Sequence, residues 1–146
     1  MTIFDEFEGL DSKREDKPVI FFFYIEATSQ KDRSKPVLNS QQMARMLAHP
    51  KVSNQLSEFS CYRRNYKKTK KAIRKKYKVK TAPMLVVFDA TGKVIFRTTS
   101  FKIKPERLVA TLKKLVKKSE KNLEKFQKKR EKDEEKAAKK AEKENE

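Results

Sequence analysis

Residues 76–95 read KYKVKTAPMLVVFDATGKVI and constrain the fold more than any other part of this chain. Leu85 to Phe88 is a short unbroken apolar run. The tripeptide Thr91-Gly92-Lys93 then interrupts it, and Val94 to Thr98 follows, rich in β-branched and aromatic residues. Two such runs around a glycine-containing turn predict a hairpin. Upstream, Val19 to Ile25 is a longer apolar run bounded by Pro18 and by polar residues, the pattern of a strand buried on both faces. A sheet with covered faces needs helices on both sides, and the remaining segments supply them.

Asn39 or Ser40 offers a helix cap, with Gln42 three residues beyond Asn39 as a capping-box partner. Met43, Met46 and Leu47 then mark a buried face at helical spacing. Val52, Leu56 and Phe59 carry the apolar pattern through a second short helix into a strand from Phe59 to Arg63. A Lys-rich helix is expected over Tyr66 to Tyr77, with Tyr66, Thr69, Ile73 and Tyr77 as its packing stripe. Pro105 suits the first turn of a last helix, with Leu108, Leu112 and Leu115 facing inward. The resulting order alternates strands and helices and ends on a hairpin and a helix, an α/β arrangement.

These residues resemble the thioredoxin-like superfamily over about residues 17–116. By that resemblance Pro83 is the cis-proline, Met84 to Asp89 is the central strand after it, and Lys17 to Tyr24 is the strand that leads into the active site. His49-Pro50-Lys51-Val52 and Phe59 resemble the segment of some subfamilies in which a short helix precedes the next strand. The implied fold is a central mixed sheet flanked by helices. Redox-active relatives follow the leading strand with Cys-x-x-Cys, and here Thr28 and Lys31 stand in those places. Two family glycines around the proline loop are replaced by Lys78 and Thr81, and residues Thr28 to Ser40 read as a longer, Ser/Lys-rich loop. The chain thus divides into an acidic N-terminal segment (1–16), a thioredoxin-like domain (17–118) and a Lys/Glu-rich tail (119–146) that is either helical or disordered.

Composition removes several functions. The chain has one cysteine and one histidine, so it can form no intramolecular disulfide and no ordinary zinc site. Its two glycines, Gly9 and Gly92, cannot build a phosphate-cradling loop. No run reaches the ~18 apolar residues of a membrane span, and the first residues lack a secretory pattern; the expectation is a cytoplasmic protein. No cofactor, metal or small-molecule substrate is indicated, and the oligomeric state is not legible. His49, between Ala48 and Pro50, reads as a helix end before a turn rather than as a catalytic base. Cys61 falls within a strand, away from the lost motif, and reads as a buried core thiol; the alternative is an atypical thioredoxin-family thiol oxidoreductase that works through it. A hydroxyl at Thr28 and an amine at Lys31 cannot replace a thiol pair, so no catalytic residue is assigned.

Two features remain that need no thiol. By resemblance, the backbone around Ala82, Pro83 and Met84 is a platform on which an extended peptide pairs; the alternative is that Pro83 merely fixes a tight turn. The second feature is charge. The net charge of +18 is uneven: residues 1–61 hold 8 basic and 9 acidic groups, whereas residues 62–80 hold 11 basic groups and no acid. On the expected helix Lys67–Lys71, Lys70–Arg74 and Lys71–Lys75 are like charges one turn apart, each costing about 0.2–0.5 kcal/mol. Arg63, Arg64, Lys67, Lys68, Lys70, Lys71, Arg74, Lys75 and Lys78 are therefore candidate contacts to a polyanion, either RNA or a ribonucleoprotein, or an acidic protein. A plainly solubilising surface, partly masked by the acidic stretch Asp5 to Asp16, is the competing account. Neither an RNA-recognition signature nor a DNA-reading helix motif is present, so contacts would go to phosphates.

Overall fold

The computed structural model describes Asp5–Glu6 and residues 16–144. Five strands form one mixed sheet in the order β1-β3-β2-β4-β5: β1 is Asp5–Glu6, β2 Val19–Tyr24, β3 Ser60–Asn65, β4 Met84–Phe88 and β5 Val94–Thr98. β1 and β2 both run parallel to β3, while β4 lies antiparallel to β2 and to β5. The helices are α1 (Lys35–Ala48), α2 (Pro50–Gln55), α3 (Lys71–Lys76) and α4 (Pro105–Glu144), with one 3₁₀ turn at Leu56–Glu58. Of the acidic stretch Asp5 to Asp16, residues 7–15 lie outside the described residues.

Strand alternation sorts the core into two halves. Ile20, Phe22, Cys61, Leu85 and Val87 face α1, α2 and α4, packing with Met43, Leu47, Val52, Leu108 and Leu112. Phe21, Phe23, Met84, Val86 and Phe88 face the other way and are covered by Tyr77, Val79 and Ile73 around α3. That second half is aromatic: Phe21 lies 5.4 Å from Tyr62 and 5.4 Å from Phe88, and Tyr77 lies 5.1 Å from Phe88. β2 and β4 are thus buried on both faces, as their unbroken apolar runs require.

Several element boundaries differ from the sequence expectation, each for a local reason. α1 begins at Lys35, not at Asn39 or Ser40. Pro36 occupies its first turn after an extended Ser34, where a fixed φ and a missing N–H suit a helix start. Ser40 is instead buried inside the helix; its hydroxyl accepts the Ile25 N–H at 3.0 Å and donates to the Pro36 carbonyl at 2.7 Å. β3 extends from Ser60 to Asn65, past the expected end at Arg63, while Phe59 stays outside it.

The expected Lys-rich helix over Tyr66 to Tyr77 is cut to six residues, Lys71–Lys76. Asn65 accounts for the rest. Its side-chain oxygen accepts the Lys67 N–H at 3.1 Å, and its backbone carbonyl accepts the Thr69 hydroxyl at 2.7 Å. Such short side-chain bonds hold a backbone in a turn in competition with a helix. Residues 66–69 form that turn, and Thr69 is buried in it.

At the other end the tail is helical, and α4 runs through the expected boundary at residue 118 without a break. Ser119 is buried, and its hydroxyl accepts the Ala90 N–H at 3.0 Å. Asn122 donates at 2.9 Å to Asp89, whose other oxygen takes the N–H groups of Thr91 and Lys93, each at 2.9 Å. Burial by itself raises the Asp89 carboxyl, but these donors and the Thr91 hydroxyl outweigh it and hold the group below its ordinary value. The β4–β5 turn is therefore pinned to α4. From Glu124 to Glu144 every residue is exposed. This arm of roughly 30 Å carries balanced one-turn pairs such as Glu124–Lys128 at 3.1 Å and Arg130–Glu134 at 3.7 Å.

Candidate functional site

Thr28 and Lys31 lie in the loop between β2 and α1, upstream of the helix that would have to serve them. A low-pKa thiol needs the N–H groups at a helix start, and here Ser34 occupies that start. The loop is organised by a carboxylate outside the Thr28 and Lys31 positions. Asp32 accepts the Thr28 N–H and the Thr28 hydroxyl on one oxygen and the Ser34 N–H on the other, all at 3.1 Å. The backbone donors of Thr28 and then Ser34 lower its pKa to about 2. The sequence signal was an aspartate two residues before a serine cap.

Cys61 is buried in the larger core half. Its sulfur lies 3.5 Å from the Leu56 carbonyl and 3.8 Å from that of Phe59. It pairs with Ile20, whereas Thr28 follows the opposite end of β2, so no chemistry joins the two. His49 joins α1 to α2, and its Nδ1 accepts the Lys51 N–H at 3.3 Å. Among the described residues no group of three His, Cys, Asp or Glu side chains is placed to hold a metal ion. Nor is any described helix long and apolar enough to cross a membrane.

The Ala82–Pro83 peptide bond is cis. Ala82, Pro83 and Met84 are all buried, with Ala82 only 7% exposed. Upstream of them Lys78 has φ 54°, in the left-handed region where glycine is favoured. It closes α3: the Val79 N–H donates to the Arg74 carbonyl at 2.8 Å and the Lys78 N–H to that of Lys75 at 3.2 Å. That pairing is a Schellman cap with lysine in the glycine position.

The candidate cations do not share one helix. Arg63 lies in register with Phe22 and Arg64 with Phe23, so alternation puts Arg63 on the α1 face and Arg64 on the α3 face. Arg63 lines an open recess of about 310 Å³ beside α1, with Phe22, Tyr24, Ala44 and Glu26. Lys67 and Lys68 sit in the turn, Lys70 caps α3, Lys71, Arg74 and Lys75 lie within it, and Lys78 follows it. Arg74 packs against an aromatic ring. Its guanidinium lies 4.9 Å from the centre of the Tyr66 ring, whose hydroxyl donates to the Lys80 carbonyl at 2.9 Å. The Arg74 Nε is buried and has no acceptor among the described residues. Lys67, Lys68, Lys70, Lys71, Lys75 and Lys78 are exposed and form no ion pair among the described residues.

A parallel-antiparallel sheet of this order, a helix after the leading strand and a cis-proline before β4 define a thioredoxin-type fold whose thiol pair is absent. The thioredoxin-like domain family matches residues 6–116, and the chain belongs to that family. A thioredoxin from Thermus thermophilus is 18% identical with a TM-score of 0.53, over 68% of this chain and 73% of that one. A disulphide isomerase from Xylella fastidiosa Temecula1 is 15% identical with a TM-score of 0.49, over 68% and 79%. A structure described as a DsbH oxidoreductase is 17% identical with a TM-score of 0.47, over 82% and 86%. No curated protein matches the sequence.

Proposed function

We propose that this protein is a redox-inactive binding member of the thioredoxin-like family that engages a polyanion through the cations around α3. The partner class is RNA or a ribonucleoprotein first and an acidic protein second. One observation carries the reading: the segment 62–80 brings 11 basic groups and no acid, and its exposed lysines have no ion-pair partner among the described residues. Anionic groups laid on that surface relieve the repulsion and release counterions, so affinity falls steeply with salt. A single cysteine supplies no Cys-x-x-Cys, and the burial of Cys61 disfavours a monothiol route. Peptide pairing beside Pro83 needs exposed backbone, and the low exposure of Ala82 weighs against it.

The test is fluorescence anisotropy of labelled RNA against salt, for the wild type and for Lys67/Lys70/Lys75→Glu. These three lysines are exposed, so the variant retains its circular dichroism spectrum. The expected result is tight binding at low salt, a steep salt dependence, and loss of at least ten-fold in affinity in the variant. Binding that ignores the three substitutions removes this surface from consideration.

A further inference from the structure

Resting on the polyanion reading, we infer that the partner is a double-helical nucleic acid held by its phosphates, not a single strand held by its bases. Proteins that take single strands without sequence preference offer aromatic faces on which bases stack. This surface has tyrosines but withholds them. Tyr62 is half-buried and stacked on Phe21, and Tyr77 is buried. Tyr66 packs against the α3-side core, carries the Arg74 guanidinium over its ring and has its hydroxyl committed to Lys80.

What the surface does present is exposed charge along a defined backbone path. The backbone of Lys78 is held by the cap that closes α3. Arg74 holds its guanidinium carbon 4.9 Å from the centre of the Tyr66 ring, and a planar guanidinium fork suits a phosphate. A flexible strand loses conformational freedom when laid on this surface, and with these rings withheld only the phosphate contacts offset that loss. A duplex is already ordered and carries one charge per ~1.7 Å of its axis. With six residues, α3 is too short to read a groove, so contacts stay on the backbone and carry no sequence information. The phosphate lattice of either RNA or DNA meets these requirements.

The experiment compares short labelled RNA and DNA duplexes with their separate strands and with polyglutamate, at equal salt, on the full chain. The expected result is at least ten-fold tighter binding of a duplex than of either strand or of polyglutamate. The duplex salt slope should be near −0.9 per phosphate contacted, against about −0.7 for a strand. Preference for the RNA or the DNA duplex names the source. Strands that bind as tightly as duplexes overturn the inference while leaving the polyanion reading in place, and so does polyglutamate matching the duplex. Absence of binding to every polyanion, or indifference to Lys67/Lys70/Lys75→Glu, ends both.

Discussion

Replacing Lys78 by glycine should stabilise the protein. Lys78 holds φ 54°, and a left-handed backbone costs a residue with a Cβ roughly 1–2 kcal/mol. Glycine removes that cost but has more conformations to lose on folding, which returns about 0.5–1 kcal/mol. The net gain is therefore on the order of 0.5–1 kcal/mol, or roughly 2–4 °C in Tm for a domain of this size. Lysine at this position is exposed and without an ion pair among the described residues, so losing its side chain costs little packing. Lys78→Ala is the control, because alanine removes the same charge but keeps the Cβ. Urea unfolding of the three proteins should give a higher midpoint for glycine alone, with unchanged m-values. Should alanine equal glycine, the gain comes from relieved charge and the backbone argument is wrong; should neither rise, φ at residue 78 carries no strain.

The Asp89 network predicts an acid-side effect. Its folded carboxyl lies below the ordinary value, so its contribution is complete above the unfolded pKa and disappears as pH falls through the folded one. Asp89→Asn should lower stability by about 1–3 kcal/mol at neutral pH and flatten the fall in urea midpoint on acidification. Truncation after residue 126 should leave the unfolding free energy within about 0.5 kcal/mol, because Glu124 to Glu144 are exposed. Truncation after residue 118 should cost about 1–3 kcal/mol by removing the Ser119 and Asn122 bonds to the β4–β5 turn. Cys61 should react with a thiol reagent only at the rate of opening, and a fast reaction in native protein would show that the sulfur reaches solvent.

The strands of this fold were legible because burial on both faces leaves an unbroken apolar run, as in β2 and β4. The inward face of α4 was legible because Leu108, Leu112 and Leu115 keep helical spacing. The start of α1 is ambiguous in sequence because two signals compete there, a Ser/Asn cap with a glutamine after it and a proline in the first turn. The proline prevails because Ser40 is drawn inward to bond Ile25 and Pro36. The short α3 was hidden for a related reason: Tyr66, Thr69, Ile73 and Tyr77 keep helical spacing, yet Asn65 bonds turn the first of them aside. At the candidate site, sequence located the cations but could not show that β3 sends Arg63 and Arg64 to opposite faces. Asp32 has a local signal in the serine cap two residues on, whereas Ser119 and Asn122 have none, since their partners in the β4–β5 turn lie 29 and 33 residues away in sequence.

The shortening of α3 changes the energetic case for a partner. Only Lys71–Lys75 lies one turn apart within the helix, with Lys70–Arg74 beginning at the cap. Repulsion at helical spacing is thus about 0.4–1 kcal/mol in all, too little to argue for a ligand by itself. Coincidence along the chain weighs more. Between Asn65 and Lys80 the chain also keeps lysine at a left-handed position and buries an arginine nitrogen with no acceptor. These are three separate departures from local rules within one segment, while β2, β4 and the inner face of α4 obey them. Folding alone does not call for two of the three, since glycine at residue 78 and acids among the lysines would relieve them. Such clustered departures are expected where a surface answers to a binding partner as well as to its own stability.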